Sequence, residues 1–573
     1  MNSRLVQANG LPAIEANGEV IPVSAYVTYF TENAAYGDFT AAGFRLFSVC
    51  AYFTDLPINE DSGFTAARTG IFEKKGEPDY SEFDADMEQL LRVNPDALVF
   101  PRIYISMPLW WVRENPHECI KCGVTPEGRE MLFSDRFRTD GGAMLRDFIR
   151  HVRAMPYAER IVGYQISGGT TQEWFHFGRD GSFCENALPY FARYLSAKRP
   201  GAAVDPEKFL RRTYHDDYVD FSNESAAGTV AYFARVAKEE CRREQIVGTF
   251  YGYSLEVALP LSGTHALNRL LDCPDIDFFC SPVSYANQRK LGLDAVSMLP
   301  EDSLRLHGKL YVVEADIRTF LSRYPDECRK DIRLAVPYRH PIWLGNPTER
   351  LSVLQLRKHF AKFLTHSRSF WWFDMWGGWY ASEGLMAEIK RQQAIAALPT
   401  REVLSTKQRA AVLIDEKMYK RFPDDLRQHR FCEALSSSGV PYDLFLLSDA
   451  GRLLDRYDLF FLPFPEENEF TALPERAGKV CVRSAASDPA EIRAAAEKAG
   501  VPVWVNTPDV FYCGNGFMAL HVRDGGEKTI TMPAAFSCAA LTGHAFRQEG
   551  SVLRFDLEQY DTAIFRIEKA AQE

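Results

Sequence analysis

Eight short runs rich in β-branched and aromatic residues, separated by amphipathic helical stretches, constrain this chain more than any other feature. The runs fall at 23–30, 44–53, 97–107, 161–166, 246–253, 276–283, 310–313 and 369–373. Helical patterns lie between them, among others at 83–92, 142–154, 228–243 and 351–364. Strands that alternate with helices make a parallel sheet, and eight such units close into a (β/α)8 barrel, which runs to about 250 residues or more as one unit. A doubly wound open sheet also alternates strand and helix. It is disfavoured because no glycine-rich phosphate loop follows any early strand.

The pattern changes after about residue 400. Ala410-Ala-Val-Leu-Ile-Asp415 reads as a buried strand, followed by a helix at 425–437, apolar runs at 439–445, 457–463 and 479–483, and a helix at 489–499. That is a small α/β unit with parallel strands. From about residue 507, the runs at 517–523, 528–532 and 552–555 alternate apolar and polar residues, as antiparallel strands with one wet face do. The expected organisation is a barrel over 1–400, a flavodoxin-like α/β domain over 401–506 and a small β-sandwich over 507–573.

Composition excludes some classes of function. The 573 residues carry a net charge of −11 and no long basic run, which argues against nucleic acid as the main partner. No stretch of ~18 apolar residues occurs, so no transmembrane helix is expected. The first ten residues lack the apolar core of a secretory signal. Most of the 12 cysteines sit in apolar runs. They read as reduced thiols, and the expected location is cytoplasmic. His117-Glu-Cys119-Ile-Lys-Cys122 has a zinc-like Cys-x2-Cys spacing, but four ligands are needed and only Cys184 offers another thiol nearby. No metal and no organic cofactor are expected.

Two carboxylates stand out within the barrel pattern. Glu173 follows the fourth run, in Gly163-Tyr-Gln-Ile-Ser-Gly-Gly-Thr-Thr-Gln-Glu-Trp-Phe175. Glu314 ends the seventh, in Val313-Glu-Ala-Asp-Ile-Arg318. Barrel chemistry sits at the C-terminal ends of the strands. Glycoside hydrolysis needs one carboxyl to protonate the leaving oxygen and one to act at the anomeric carbon. The structural alternative is that each is an ion-paired carboxylate, with Asp316 and Arg318 as neighbours of Glu314.

With Pro101-Arg-Ile-Tyr-Ile-Ser-Met-Pro-Leu-Trp-Trp111 and Ala411-Val-Leu-Ile-Asp-Glu416, these segments give the chain a resemblance to retaining glycosidases of the (β/α)8 clan. Within that clan it resembles glycoside hydrolase family 42, with its β-galactosidases and related β-mannosidases. The order of barrel, α/β unit and β module is part of that resemblance. It implies Glu173 as acid/base, Glu314 as nucleophile, an exo-acting β-glycosidase with a carbohydrate substrate, and a homotrimer built by the α/β unit. The chain departs from the clan where Gln172 stands in the place of the Asn that usually precedes the acid/base, after an insertion-like Ser167-Gly-Gly-Thr-Thr171.

Other residues have two readings each. Trp174, beside Glu173, offers a flat face to a sugar ring, while Trp376 and Trp379 either stack on a sugar or pack under a loop. Asp374 either binds hydroxyls or caps a turn. Tyr285 is placed to donate to the nucleophile. Arg102 and Tyr104 share one side of the third strand, where an inward Arg102 either keeps the nucleophile ionised or forms a barrel salt bridge. Two rival functions remain: an inactive carbohydrate-binding protein on the same fold, and a nucleotide-dependent enzyme using the α/β unit. The second is disfavoured by the missing phosphate loop.

Overall fold

The structure is a computed structural model and describes residues 1–56, 68–122, 125–169, 171–174, 184–286, 289–329, 341–399, 401–464, 468–484 and 488–569. All eight runs are strands of one parallel sheet. The first, fourth, fifth and sixth are Ser24–Val27, Gly163–Gly168, Ile246–Phe250 and Phe278–Pro282. The seventh and eighth are Leu310–Ala315 and Phe370–Phe373.

The second and third strands are each broken in two, as Leu46–Ser48 with Cys50–Tyr52 and Leu98–Val99 with Arg102–Ile105. The break lies opposite Pro101, which has no N–H to give to the ladder. Phe100 N to Phe47 O (3.1 Å) and Arg102 N to Val49 O (3.0 Å) carry the pairing past it. The first strand pairs with the front half of the second, and the back half of the third pairs with the fourth, so the sheet closes into a barrel. Its outer helices include Ser81–Val93, Asp135–Ala154, His215–Glu240 and Glu349–Thr365, all longer than their apolar patterns indicated. Strand seven runs two residues past the expected 313, so Glu314 sits inside it.

One element was not anticipated. Ser3–Ala8, Leu11–Ala16 and Glu19–Ile21 form an antiparallel sheet that floors the barrel at its N-terminal mouth. Ser3 N donates to Glu244 O at 2.7 Å, and Ser3 Oγ accepts from Ile246 N at 3.0 Å and donates to Val162 O. Ile14 lines a small apolar cavity there together with Val23, Val162, Ile246, Phe278 and Val312. The turns are Asn9-Gly10 (φ 53° and 82°) and Asn17-Gly18 (φ 49° and 87°), two left-handed residues each, as tight hairpins require.

Beyond the barrel, four parallel strands lie in the order Tyr442–Leu446, Ala410–Ile414, Leu459–Leu462, Val480–Arg483. Helices Arg427–Ser436 and Pro489–Ala499 pack against them. Two antiparallel sheets follow, of four and three strands, and enclose their own apolar core around Met518, Leu520, Ile530, Leu553 and Phe565. Buried polar bonds tie these parts to the barrel: Tyr512 OH donates to Asp294 Oδ1 at 2.5 Å, and Leu444 N to Asp302 Oδ2 at 2.7 Å.

Candidate active site

Parallel register sets Glu314 beside Trp371 of strand eight and Pro282 of strand six, at the C-terminal end of the barrel. Its carboxyl is buried (3% exposed). Arg102, at the start of the back half of strand three, reaches across and donates from Nη1 to Glu314 Oε2 at 2.9 Å. Trp371 Nε1 donates to the same oxygen at 3.3 Å. The guanidinium lies over the rings of Phe250 (4.5 Å), Phe373 (5.2 Å) and Tyr29 (5.4 Å). Its Nε donates to Gln172 Oε1 at 3.0 Å, and Gln172 Nε2 donates to Tyr29 OH at 3.2 Å. Both ends of the Gln172 amide are therefore engaged.

Glu173 is presented by a contorted segment. Gln172 and Trp174 on either side of it adopt left-handed φ of 69° and 61°, and Trp174 N returns to Gly168 O at 2.8 Å. Thr170 in this segment lies outside the described residues. A Cβ on Gly168 would come within 2.6 Å of the Trp174 ring, so the glycine allows the turn to close. Glu173 Oε1 accepts from Tyr253 OH at 3.0 Å.

Burial pushes the Glu173 carboxyl up to about 7, against the opposing pull of the Tyr253 hydroxyl and the Arg102 charge. Burial also raises Glu314; Arg102 opposes this most strongly, while the charges of Asp316 and Glu173 add to it. Arg102 favours the ionised form of both carboxyls and bonds Glu314 directly.

Several candidates have other partners than those envisaged. Tyr285 OH donates to Asp316 Oδ2 at 2.8 Å rather than to Glu314. Asp316 and Arg318 do not pair with Glu314; Asp316 is fully buried between Arg289 (2.7 Å) and Arg318 (2.5 Å). Asp374 caps a turn, accepting from Trp379 N (2.8 Å), Gly378 N (3.0 Å) and Tyr26 OH (2.9 Å). Trp174 is a packing residue: its indole N–H donates to Thr249 Oγ1 at 2.8 Å and its face lies on Phe233. Trp376 and Trp379 are also buried, edge to face at 6.4 Å, with Trp343 beside Trp376 at 5.4 Å. Tyr104 is inside the barrel, and its hydroxyl accepts from Arg129 at 2.5 Å.

Cys119 Sγ faces Asn115 O at 3.4 Å, Cys184 is half-buried, and the Cys122 side chain lies outside the described residues. No metal-holding group of His, Cys, Asp or Glu occurs among the described residues. Tyr29, Tyr253 and Trp371 were not singled out as site residues. Tyr253 and Trp371 could have been found because each belongs to a strand run that ends at the C-terminal face of the barrel.

Solved β-galactosidases share this architecture. The enzyme of Marinomonas ef1 superposes with a TM-score of 0.61 at 10% identity, over 95% of this chain and 100% of its own. That of Rahnella sp. R3 gives 0.61 at 13% identity, over 99% and 100%. The α-L-fucosidase isoenzyme 2 of Paenibacillus thiaminolyticus gives 0.53 at 9% identity, over 96% and 100%. No protein-family model and no curated protein matches the chain. At these identities the likeness is one of fold, and proteins named for different sugars have it in common. The choice of sugar therefore has to be sought in side chains.

Proposed function

We propose that this chain is a retaining, exo-acting β-glycosidase, of β-galactosidase or β-mannosidase type. The observation that carries the reading is the Arg102–Glu314 ion pair at 2.9 Å, with Glu173 protonatable near pH 7 in the same electrostatic neighbourhood. Glu314 attacks the anomeric carbon as a carboxylate while Glu173 gives its proton to the glycosidic oxygen. Glu173, now a carboxylate, then takes a proton from the water that releases the sugar. Tyr253 and Trp371 hold the two carboxyls in place. The substrate is a carbohydrate. The named neighbours support the reading by what they are called, β-galactosidases and a fucosidase.

Glu314→Ala is the test. Turnover of nitrophenyl glycosides should vanish, and azide should partly restore it with an α-glycosyl azide as product. Near-normal activity in the variant would show that another residue attacks. A panel of β-galactoside, mannoside, glucoside and fucoside identifies the sugar.

The reading also places the protein in the cytoplasm as a homotrimer assembled through the 401–506 unit. Sedimentation checks the assembly: a single species near the 65.1 kDa chain mass rejects it.

A further inference from the structure

Arg318 leaves the seventh strand shortly after Glu314, and its side chain is buried. Its Nη1 is taken by Asp316, bonding the backbone carbonyl at 2.7 Å and Oδ2 at 2.5 Å. The other edge of the guanidinium presents Nε–H and Nη2 side by side. No hydrogen bond from either nitrogen is made to any described residue, although Nε is enclosed. Three rings frame the group: Trp343 at 5.2 Å, Trp379 at 5.3 Å and Tyr285 at 5.5 Å from its carbon.

The carboxylates of this cluster are engaged away from this edge. Asp316 is shared with Arg289, whose Nη2 lies 2.7 Å from Oδ1, and it also accepts from Tyr285 OH. Glu256 is the further acid of the cluster, and it acts on Arg289. Two guanidinium groups thus divide one fully buried carboxylate. Asp316 in turn acts on both Glu173 and Glu314, and Glu173 acts on Tyr285, so the cluster that holds Arg318 borders the two carboxyls.

A buried N–H without an acceptor is unfavourable unless a ligand supplies one. Paired donors on one guanidinium edge match two oxygens of a single oxyanion, a geometry that a hydroxyl fills poorly. We propose that Arg318 selects a sugar bearing an oxyanion, a carboxylate or a sulfate ester, on the ring seated beside Glu314. This rests on the glycosidase reading above and names its substrate class. Trp343, Trp379 and Tyr285 would then serve to hold the guanidinium plane, with Asp316 fixing its rotation.

Calorimetric binding separates this inference from turnover. The probes are galacturonate and glucuronate as carboxylates, galactose 6-sulfate as the sulfate ester, and galactose and glucose as neutral controls. The wild-type protein should bind at least one charged probe tenfold or more tighter than its neutral counterpart. Arg318→Met should weaken that probe about 10- to 100-fold, the range of one to two charge-assisted bonds at tenfold per 1.4 kcal/mol. It should change neutral sugars less than about threefold.

Arg318→Lys keeps the charge without the two-donor edge and should fall between; it carries the comparison if the Met variant does not fold. Loss on the sulfate but not the carboxylates, or the reverse, tells which oxyanion is recognised. No preference for any charged probe, or equal losses on charged and neutral sugars, overturns the proposal. Arg318-dependent binding without cleavage of any nitrophenyl glycoside would instead overturn the glycosidase reading.

Discussion

Removing the positive charge from beside Glu314 should move the pH dependence of catalysis by an amount the structure allows to be worked out. In Arg102→Met the carboxyl loses its 2.9 Å partner and keeps only the Trp371 N–H at 3.3 Å. A hydrogen bond to a charged group contributes about 1.5–3 kcal/mol. At 1.36 kcal/mol per pKa unit, that raises the Glu314 pKa by about one to two units. The direction follows from which form the cation favours: arginine stabilises the carboxylate, so its loss favours the protonated, non-nucleophilic form.

The acidic limb of kcat/KM should therefore shift upward by about one to two units, and activity below it should fall about 10- to 100-fold. A dinitrophenyl β-glycoside is the right substrate, because its leaving group needs little help from Glu173 and the profile then reports the nucleophile. Arg102→Lys keeps the charge but gives up the bond to Gln172, and should shift the limb less. Stability gives a second readout. The variant should melt progressively lower than wild type as pH rises through the new limb, where a buried carboxylate becomes charged without a partner. A folded Arg102→Met enzyme whose acidic limb does not move would refute the reasoning.

Other outcomes follow from the same geometry. Glu173→Ala should slow alkyl glycosides far more than dinitrophenyl glycosides, and equal losses on both would assign protonation to another residue. Gly168→Ala, whose Cβ would meet the Trp174 ring at 2.6 Å, should lower Tm by several degrees and reduce kcat by disturbing Glu173, whereas a neutral result would show that the turn can relax. Asp374→Asn replaces an acceptor of three bonds by a group with one acceptor oxygen, so it should cost about 1–3 kcal/mol of stability with KM nearly unchanged. A tenfold rise in KM at unchanged Tm would make Asp374 a substrate contact instead.

The barrel was legible because its signal is repeated: eight apolar runs with helical spacing admit few closures, and every run is a strand. Glu314 was visible for the same reason, since a residue type at the C-terminal end of a counted strand has a known address; Arg102 lies within the third strand and Glu173 five residues past the fourth. Side-chain partners were not legible in this way. Tyr285 and Tyr253 occupy similar places after neighbouring strands, yet one bonds Asp316 and the other Glu173. Which hydroxyl meets which carboxyl depends on loop geometry that no spacing encodes. The tryptophans stayed ambiguous because an aromatic cluster at a strand end looks alike in sequence whether it faces a ligand or a helix. Trp174 faces Phe233 of the helix His215–Glu240. The floor of the barrel was missed although its two Asn-Gly turns are the strongest short-range hairpin signal a sequence carries.

That floor bears on how the chain is made. Its hairpins involve only nearest neighbours in sequence and can form within microseconds of leaving the ribosome. Their anchoring partners are distant: Ser3 Oγ waits for the amide of Ile246, 243 residues later. At typical synthesis rates that separation is about 10–50 s. During that interval a small sheet with one apolar face exists without the core it will cover. The floor is thus a locally closed element whose anchoring depends on strands made much later.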